Sequence, residues 1–508
     1  MSLISVLARA EAAESGRAAP LATVRHRHLA EHPLVLVPLT TAGEDAAPLG
    51  ALVGTDRGAP RLLTVPQPRN RELRSTFLAA LAEEVLPHIE SAADEVEYVE
   101  RKETEPETGK KVTVQAELCL DAPQLLVPNP AGAEFLRLLG RATRFRRTAE
   151  EDAQAAHPSP PRVPLLGRWL SHYAERARVP GSSLLLPVTE LLIRHWATGQ
   201  STLEDQHLTA LLAWIAPPTG TTGEAAAFHA ELARDERGQL LVPPAGPSTD
   251  PAFDNTLLGP AIDRFDAGVA DAAADLARLV EAQLRPTWDA VWQAVDLLRA
   301  LPPAAHLPAR WKRDRHSYTH HRDRVRAGEP PQPRRDDAVT AARKLVSREQ
   351  SQAELDAQEA LDDPLTMAER RLAGEAFACE VLDVTMAYSE GKRPMPRPLV
   401  TCRSEDGPLP GGTARLHRAL PSGGEQRAEV TEHGEVFTVR LTNGMGRSKE
   451  PAEGSVPEPG ERLCWTLFEH APRGGPGLPE PEATPWTHGG PPAQLPEPPD
   501  AFTPEDRL

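Results

Sequence analysis

A chain of 508 residues exceeds what one ordinary core can fill, so two to four domains are expected. With aromatic residues at only 4%, those cores must rest on Leu, Val and Ala, and 53 Pro with 35 Gly stay below the level of a wholly disordered chain. A formal net charge of −17 argues against an all-over binder of nucleic acid or membrane but leaves room for a local basic groove.

The start, "MSLISVLARAEAAESGRAAP", lacks a basic segment followed by a long apolar run and reads as a short helix. No stretch approaches 18 uninterrupted apolar residues, so no membrane span is expected and the expected compartment is cytoplasmic. The Ala, Arg and Pro bias suits a GC-rich bacterial genome. Cys119, Cys379, Cys402 and Cys464 stand far apart, which fits neither a zinc cage nor a disulfide framework. The segment "RHRHLAEH", with His28 and His32 four apart beside His26, reads as a charged surface turn.

Residues 1–150 read as a small α+β domain. "PLVLVPLTT", "APLGALVGT" and "RLLTVPQP" are short strand-like runs, and "RELRSTFLAALAEEVL" is a helix on the spacing of Leu73, Phe77, Leu81 and Val85. "VEYVERKETEPETGKKVTVQAELCL" reads as a hairpin with a charged tip from Thr104 to Lys110. "PAGAEFLRLLGRATRFRR" is a second helix ending in Arg137, Arg141, Arg144, Arg146 and Arg147. Cations in a last turn oppose the negative end of the helix dipole, and Arg137, Arg141 and Arg144 share a face that could touch phosphates.

The stretch 151–162 is charged and Pro-rich and reads as a linker. A helical region follows over 163–335. "STLEDQHLTALLAWIA" opens on a capping box, Ser201 with Glu204, and "PTWDAVWQAVDLLRAL" places Pro286 in a first turn. The region closes on "RWKRDRHSYTHHRDRVRAGEPPQPRR", Arg310 to Arg335, with nine Lys/Arg, three acids and three His. On a helix, Trp311, Arg315, Tyr318, Arg322 and Val325 share one face, and Arg313, His316, Ser317, His320 and Arg324 share another.

A row of Arg suits phosphate, because guanidinium forks hydrogen-bond in pairs and keep their charge, while aromatic faces stack on unpaired bases. The candidate contacts are Arg310, Lys312, Arg313, Arg315, Tyr318, Arg322, Arg324 and Arg326, joined by Arg137, Arg141 and Arg144 if the two runs line one groove. His316 and His320 form an i,i+4 pair of the kind metal sites use, with His321 or Asp323 as further candidates, but "HSYTH" lacks the glutamate of a zinc protease. The plain reading is a solvated helix whose arginines pair with acids.

No phosphate-binding G-x-x-x-x-G-K-[ST], no G-x-S-x-G elbow, no H-E-x-x-H and no G-x-G-x-x-G after a strand occurs, and no cofactor is implied. Residues 336–374 read as stalk-like helices, built on "DDAVTAARKLVSREQSQAELDAQEAL" and "DDPLTMAERRLAG". "EAFACEVLDVTMAY", "RPLVTCRS", "GTARLHRAL", "QRAEVTE", "EVFTVRLT" and "ERLCWTLFE" alternate in polarity, so 375–472 reads as a small β-barrel, with His433-Gly434 and Asn443-Gly444 at turns. The remainder, 473–508, is a Pro/Gly-rich tail. The whole is an α+β multidomain chain.

In element order, and in the run "EVTEHGEVFTVRLTNGMG…PEPGERLCW", Asp336 to Glu469 resembles the stalk-and-barrel accessory insertion of Upf1-type superfamily 1 helicases. In that family the insertion sits within a motor carrying a phosphate-binding loop, which this chain lacks. The resemblance therefore implies a non-catalytic accessory protein beside a separately encoded motor ATPase, in genome defence or DNA processing. The readings from other classes are a metal-dependent hydrolase or nuclease centred on 316–323, and a purely structural interaction protein.

Overall fold

The run Leu34–Thr40 (β2) is apolar at consecutive positions, and every one of its residues is buried. Such a strand needs cover on both faces of its sheet. The computed structural model, which describes residues 3–44, 47–104, 111–390, 394–409, 411–446 and 448–472, gives it that cover.

The chain divides into two units, the larger being 7–20 with 25–341 and the smaller 21–24 with 342–479, together with residues 1–6. A short helix α1 (Leu3–Ser15), in the larger unit from residue 7 on, leads to β1 (Ala19–Pro20) and then to β2, β3 (Pro48–Gly54) and β4 (Arg61–Thr64). Helix α2 (Arg71–Glu90) precedes the hairpin β5 (Val96–Thr104) and β6 (Lys111–Cys119); the tip, expected from Thr104 to Lys110, lies outside the described residues from 105 on. Next come β7 (Leu125–Val127), α3 (Pro130–Thr143), α4 (Val163–Ala177), β8 (Leu185–Pro187), α5 (Val188–His195) and β9 (Trp196–Ala197).

Five strands form one mixed sheet in the order β4-β3-β2-β7-β8. The first three are antiparallel, while β7 runs parallel to both β2 and β8. Strand β8 comes from beyond 151–162, so the first 150 residues and the helical region share this sheet. Alternation along β2 divides the cores: Val35, Val37 and Leu39 enter one, Leu34 and Leu36 the other.

The first core is covered by α5, α6 (Leu208–Ile215), α9 and α10. Between α6 and α9 (Gly259–Asp266) lie α7 (Gly223–Leu232) and α8 (Pro251–Phe253), and α10 spans Ala272–Arg299. Pro286 is interior to α10 and not in a first turn, because the apolar stripe extends upstream through Leu276, Val280 and Leu284. The ring removes only the hydrogen bond to the Ala282 carbonyl, and packing on both sides carries the helix through. The expected box is present, with Ser201 N donating to Glu204 at 2.7 Å and Glu204 N to Ser201 Oγ at 3.3 Å, but it heads a 3₁₀ turn. Helix α6 starts afterwards, capped by His207 Nδ1, which accepts from Ala210 N at 3.3 Å.

The second core takes α2, α3, α4 and α11 (Leu307–Arg326) on the opposite sheet face.

Helix α12 (Ala338–Asp362), in the smaller unit from residue 342 on, buries Leu355, Ala357, Gln358 and Ala360 near its end. Asp363 caps α13 (Pro364–Leu372) and also accepts from Thr23 N at 2.7 Å. Gly374, at φ 73°, ends that helix in a left-handed conformation that favours glycine. Six strands follow: β10 (Ala376–Thr385), β11 (Leu399–Ser404), β12 (Arg415–Ala419), β13 (Glu425–Glu432), β14 (Val436–Leu441) and β15 (Arg462–Thr466). They close into a barrel in the order β10-β11-β14-β13-β12-β15, every pair antiparallel. Phe377, Phe437 and Trp465 fill its core, and closure removes the free sheet edges. The tail from 473 lies outside the described residues.

Candidate nucleic-acid interface

Helix α11 is anchored by the face carrying its aromatic residues. Trp311 stacks on His28 with centroids 3.9 Å apart and donates Nε1–H to Asp121 Oδ1 at 2.8 Å. The buried Tyr318 donates to the Ile89 carbonyl at 2.6 Å and stacks on Trp169 at 5.4 Å; burial raises its pKa. Asp314, 1% exposed, accepts from Arg176 Nη2 at 3.0 Å, Ser182 Oγ at 2.7 Å and Ser183 N at 2.6 Å.

Several expected contact residues lie on this inward face. Arg310, 3% exposed, donates to the His26 carbonyl at 3.3 Å. Arg315 donates Nε–H to the Cys119 carbonyl at 2.8 Å and pairs with Glu97. Arg322, also 3% exposed, reaches the Ala93 carbonyl at 2.7 Å, Cys119 Sγ at 3.2 Å and the carboxylates of Glu117 and Asp323 at 2.9 and 2.7 Å. Arg310, Arg315, Tyr318 and Arg322 thus join α11 to its neighbours. Their residue types are those of a phosphate ridge, but helical spacing puts three of them in register with Trp311, on the side the core claims. "RHRHLAEH" is likewise no surface turn, since His26 and Leu29 are buried and His28 packs on Trp311.

The outward face keeps Lys312, His316 and His320 exposed and Arg313 and Arg324 half-buried. Lys312 has no carboxylate partner among the described residues. Partial burial, then Lys312, Arg315 and Arg101 of β5, lowers the His316 pKa, and Glu97 acts against them. At the end of α11, Arg324 pairs with Glu329 and Arg326 with Asp94, both at 2.6 Å. Among the described residues no group of three or more His, Cys, Asp or Glu is placed to hold a metal ion, so His316 and His320 stand as an exposed pair without further ligands of that kind.

The second basic run meets the segment that follows α11 through Arg144. Arg137 is bound to Glu134, with Nε 2.7 Å from Oε2. Arg141 is half-buried. Arg144, 4% exposed, donates to the carbonyls of Gln332 at 2.9 Å and Pro333 at 3.3 Å, fastening the segment that follows α11.

Sequence reasoning also missed a histidine pair beneath this face. His172 of α4 and His321 of α11 stack with centroids 4.2 Å apart and planes 8° apart. Burial, then Arg168, Arg324 and His320, holds His321 at about 3, and burial keeps His172 well below its ordinary value too. Both rings are therefore neutral at pH 7. His172 sits in "LGRWLSHYAERA", where Leu166, Trp169, Leu170 and Tyr173 mark the buried stripe, and that spacing is the signal that could have found it.

No protein-family model, curated protein or solved structure matches the chain.

Proposed function

We propose that this chain is a non-catalytic accessory scaffold that touches nucleic acid through a narrow row on α11, the cations Lys312, Arg313 and Arg324 with His316 and His320 between them, joined by Arg101 of β5. The carrying observation is the two-sidedness of α11, whose inward face is fastened by Trp311, Asp314, Tyr318 and Arg322 while its outward face presents Lys312 without a carboxylate partner among the described residues. A row held this way is pre-organised, so binding costs little ordering entropy. Such contacts position a phosphate backbone and read no sequence. The second half of the proposal is the partner, a separately encoded motor ATPase. Its support is the element order of 336–469, a long helix and a short one ahead of a closed six-stranded barrel, as in the helicase insertion it resembles.

Fluorescence anisotropy with a labelled single-stranded oligonucleotide tests the contact. Lys312→Glu is expected to weaken binding several-fold without altering the melting temperature. Equal affinity for wild type and Lys312→Glu would sink the assignment of the row.

A further inference from the structure

A second positive site lies away from α11. Between the first turns of α2, the end of α3 and the segment 156–160 is a cavity of about 200 Å³. Arg71, Arg74 and Arg146 line it, against a single carboxylate, Glu72. The segment 156–160 is held in place by Ser159 N, which donates to the Arg147 carbonyl at 2.8 Å.

The placement of these cations is unfavourable in isolation. Arg71 and Arg74 stand in the first turns of a 20-residue helix, where the dipole is positive and cations are disfavoured. Arg146 faces them, and burial, then Arg71 and Arg74, lowers its pKa. Two residues earlier, Arg69 does find a carboxylate, Glu44 Oε1 at 2.9 Å. Neither Arg71 nor Arg74 has a carboxylate partner among the described residues. Arg146 Nε donates to the Ala142 carbonyl at 3.3 Å, and Arg71 and Arg74 beside it at a helix N-terminus offer donors of the kind an anion accepting several hydrogen bonds takes.

The rest of the lining defines the ligand. Ser75 adds a hydroxyl, and Leu78, Leu139 and Pro158 give an apolar wall suited to an organic body. The volume is that of a small molecule and does not admit a duplex.

We propose that the cavity lined by Arg71, Arg74 and Arg146 is a binding site for a small phosphomonoester. The guanidinium forks take the phosphate oxygens in pairs, the α2 N-terminus adds its dipole, and the apolar wall packs the ester group. The site shares no residue with the α11 row and stands or falls separately from it.

Isothermal titration of the full chain with phenyl phosphate, inorganic phosphate and benzoate tests this. Phenyl phosphate is expected to bind one to one and more tightly than inorganic phosphate, with benzoate at least about tenfold weaker. Arg74→Ala and Arg74→Lys are both expected to weaken phenyl phosphate, the first by about tenfold or more, because lysine keeps the charge but not the fork. Lys312→Ala is expected to leave it unchanged. Absence of binding at millimolar phenyl phosphate, equal binding of benzoate, or unchanged affinity in a folded Arg74→Ala protein would overturn the proposal.

Discussion

Asp314 shows how a charge in the middle of a basic segment becomes structural. Its carboxylate is almost sealed from water and answers three donors on α4 and the loop before β8. Asp314→Ala leaves the Arg176 guanidinium, itself 20% exposed, without that partner, and removing one side of a buried pair costs about 3–5 kcal/mol. Urea denaturation should show that loss, whereas Lys312→Ala should stay within about 0.5 kcal/mol of wild type. The His172–His321 stack adds a pH dependence. The folded state refuses a proton on His321 until about pH 3, while the unfolded chain accepts one near the ordinary value of 6.5. The unfolded state therefore binds more protons between these limits, and stability is full above 6.5 and falls as the pH drops. One pH unit below 6.5, His321 alone costs about 1.4 kcal/mol, with His172 acting in the same direction. The cations around the pair, Arg168, Arg176 and Arg324, all oppose its protonation. His321→Phe should flatten the fall in urea midpoint between neutral and mildly acidic pH; an unchanged fall would assign it to other groups.

At the scale of elements, α3 and α4 approach through glycine. A Cβ on Gly167 would lie 2.4 Å from Arg144 N and from Thr143 Oγ1, and one on Gly140 would lie 2.7 Å from Ser171 N. Gly167→Ala must push the helices apart, at about 1–3 kcal/mol, and thermal unfolding should register it. The same displacement would move Leu139 and Arg146 in the phosphate cavity, so phenyl phosphate binding should weaken with it. The sequence made some of this legible and hid the rest for physical reasons. The barrel was readable because β10, β11 and β13 alternate in burial along much of their length, although β12 and β14 bury three residues in a row, and Gly434 and Gly444 both adopt positive φ at the turns. The partition of α11 was readable from the spacing of Trp311 and Tyr318, but which arginines that partition takes inward depends on Glu97, Glu117 and Ala93, about 200 residues away. The three residues of β8 are too few to show a period, so their place in the sheet became visible only in three dimensions. The Arg71–Arg74–Arg146 cavity drew no notice because its cations come from separate segments.

At the scale of the whole molecule, net acidity and a local cationic row work together. The charge of −17 repels a polyanion in general, so the proposed contact depends on the local row of α11 with Arg101 of β5. The most direct measurement is the salt dependence of binding to a single-stranded oligonucleotide. A row that neutralises about three phosphates gives a slope of log K against log[salt] near about −2. The double variant Lys312→Ala/Arg313→Ala should bind more weakly at every salt concentration, with a slope shallower by about 1.4. Wild-type and variant slopes that coincide, or affinity insensitive to salt, would contradict a nucleic-acid contact at this row.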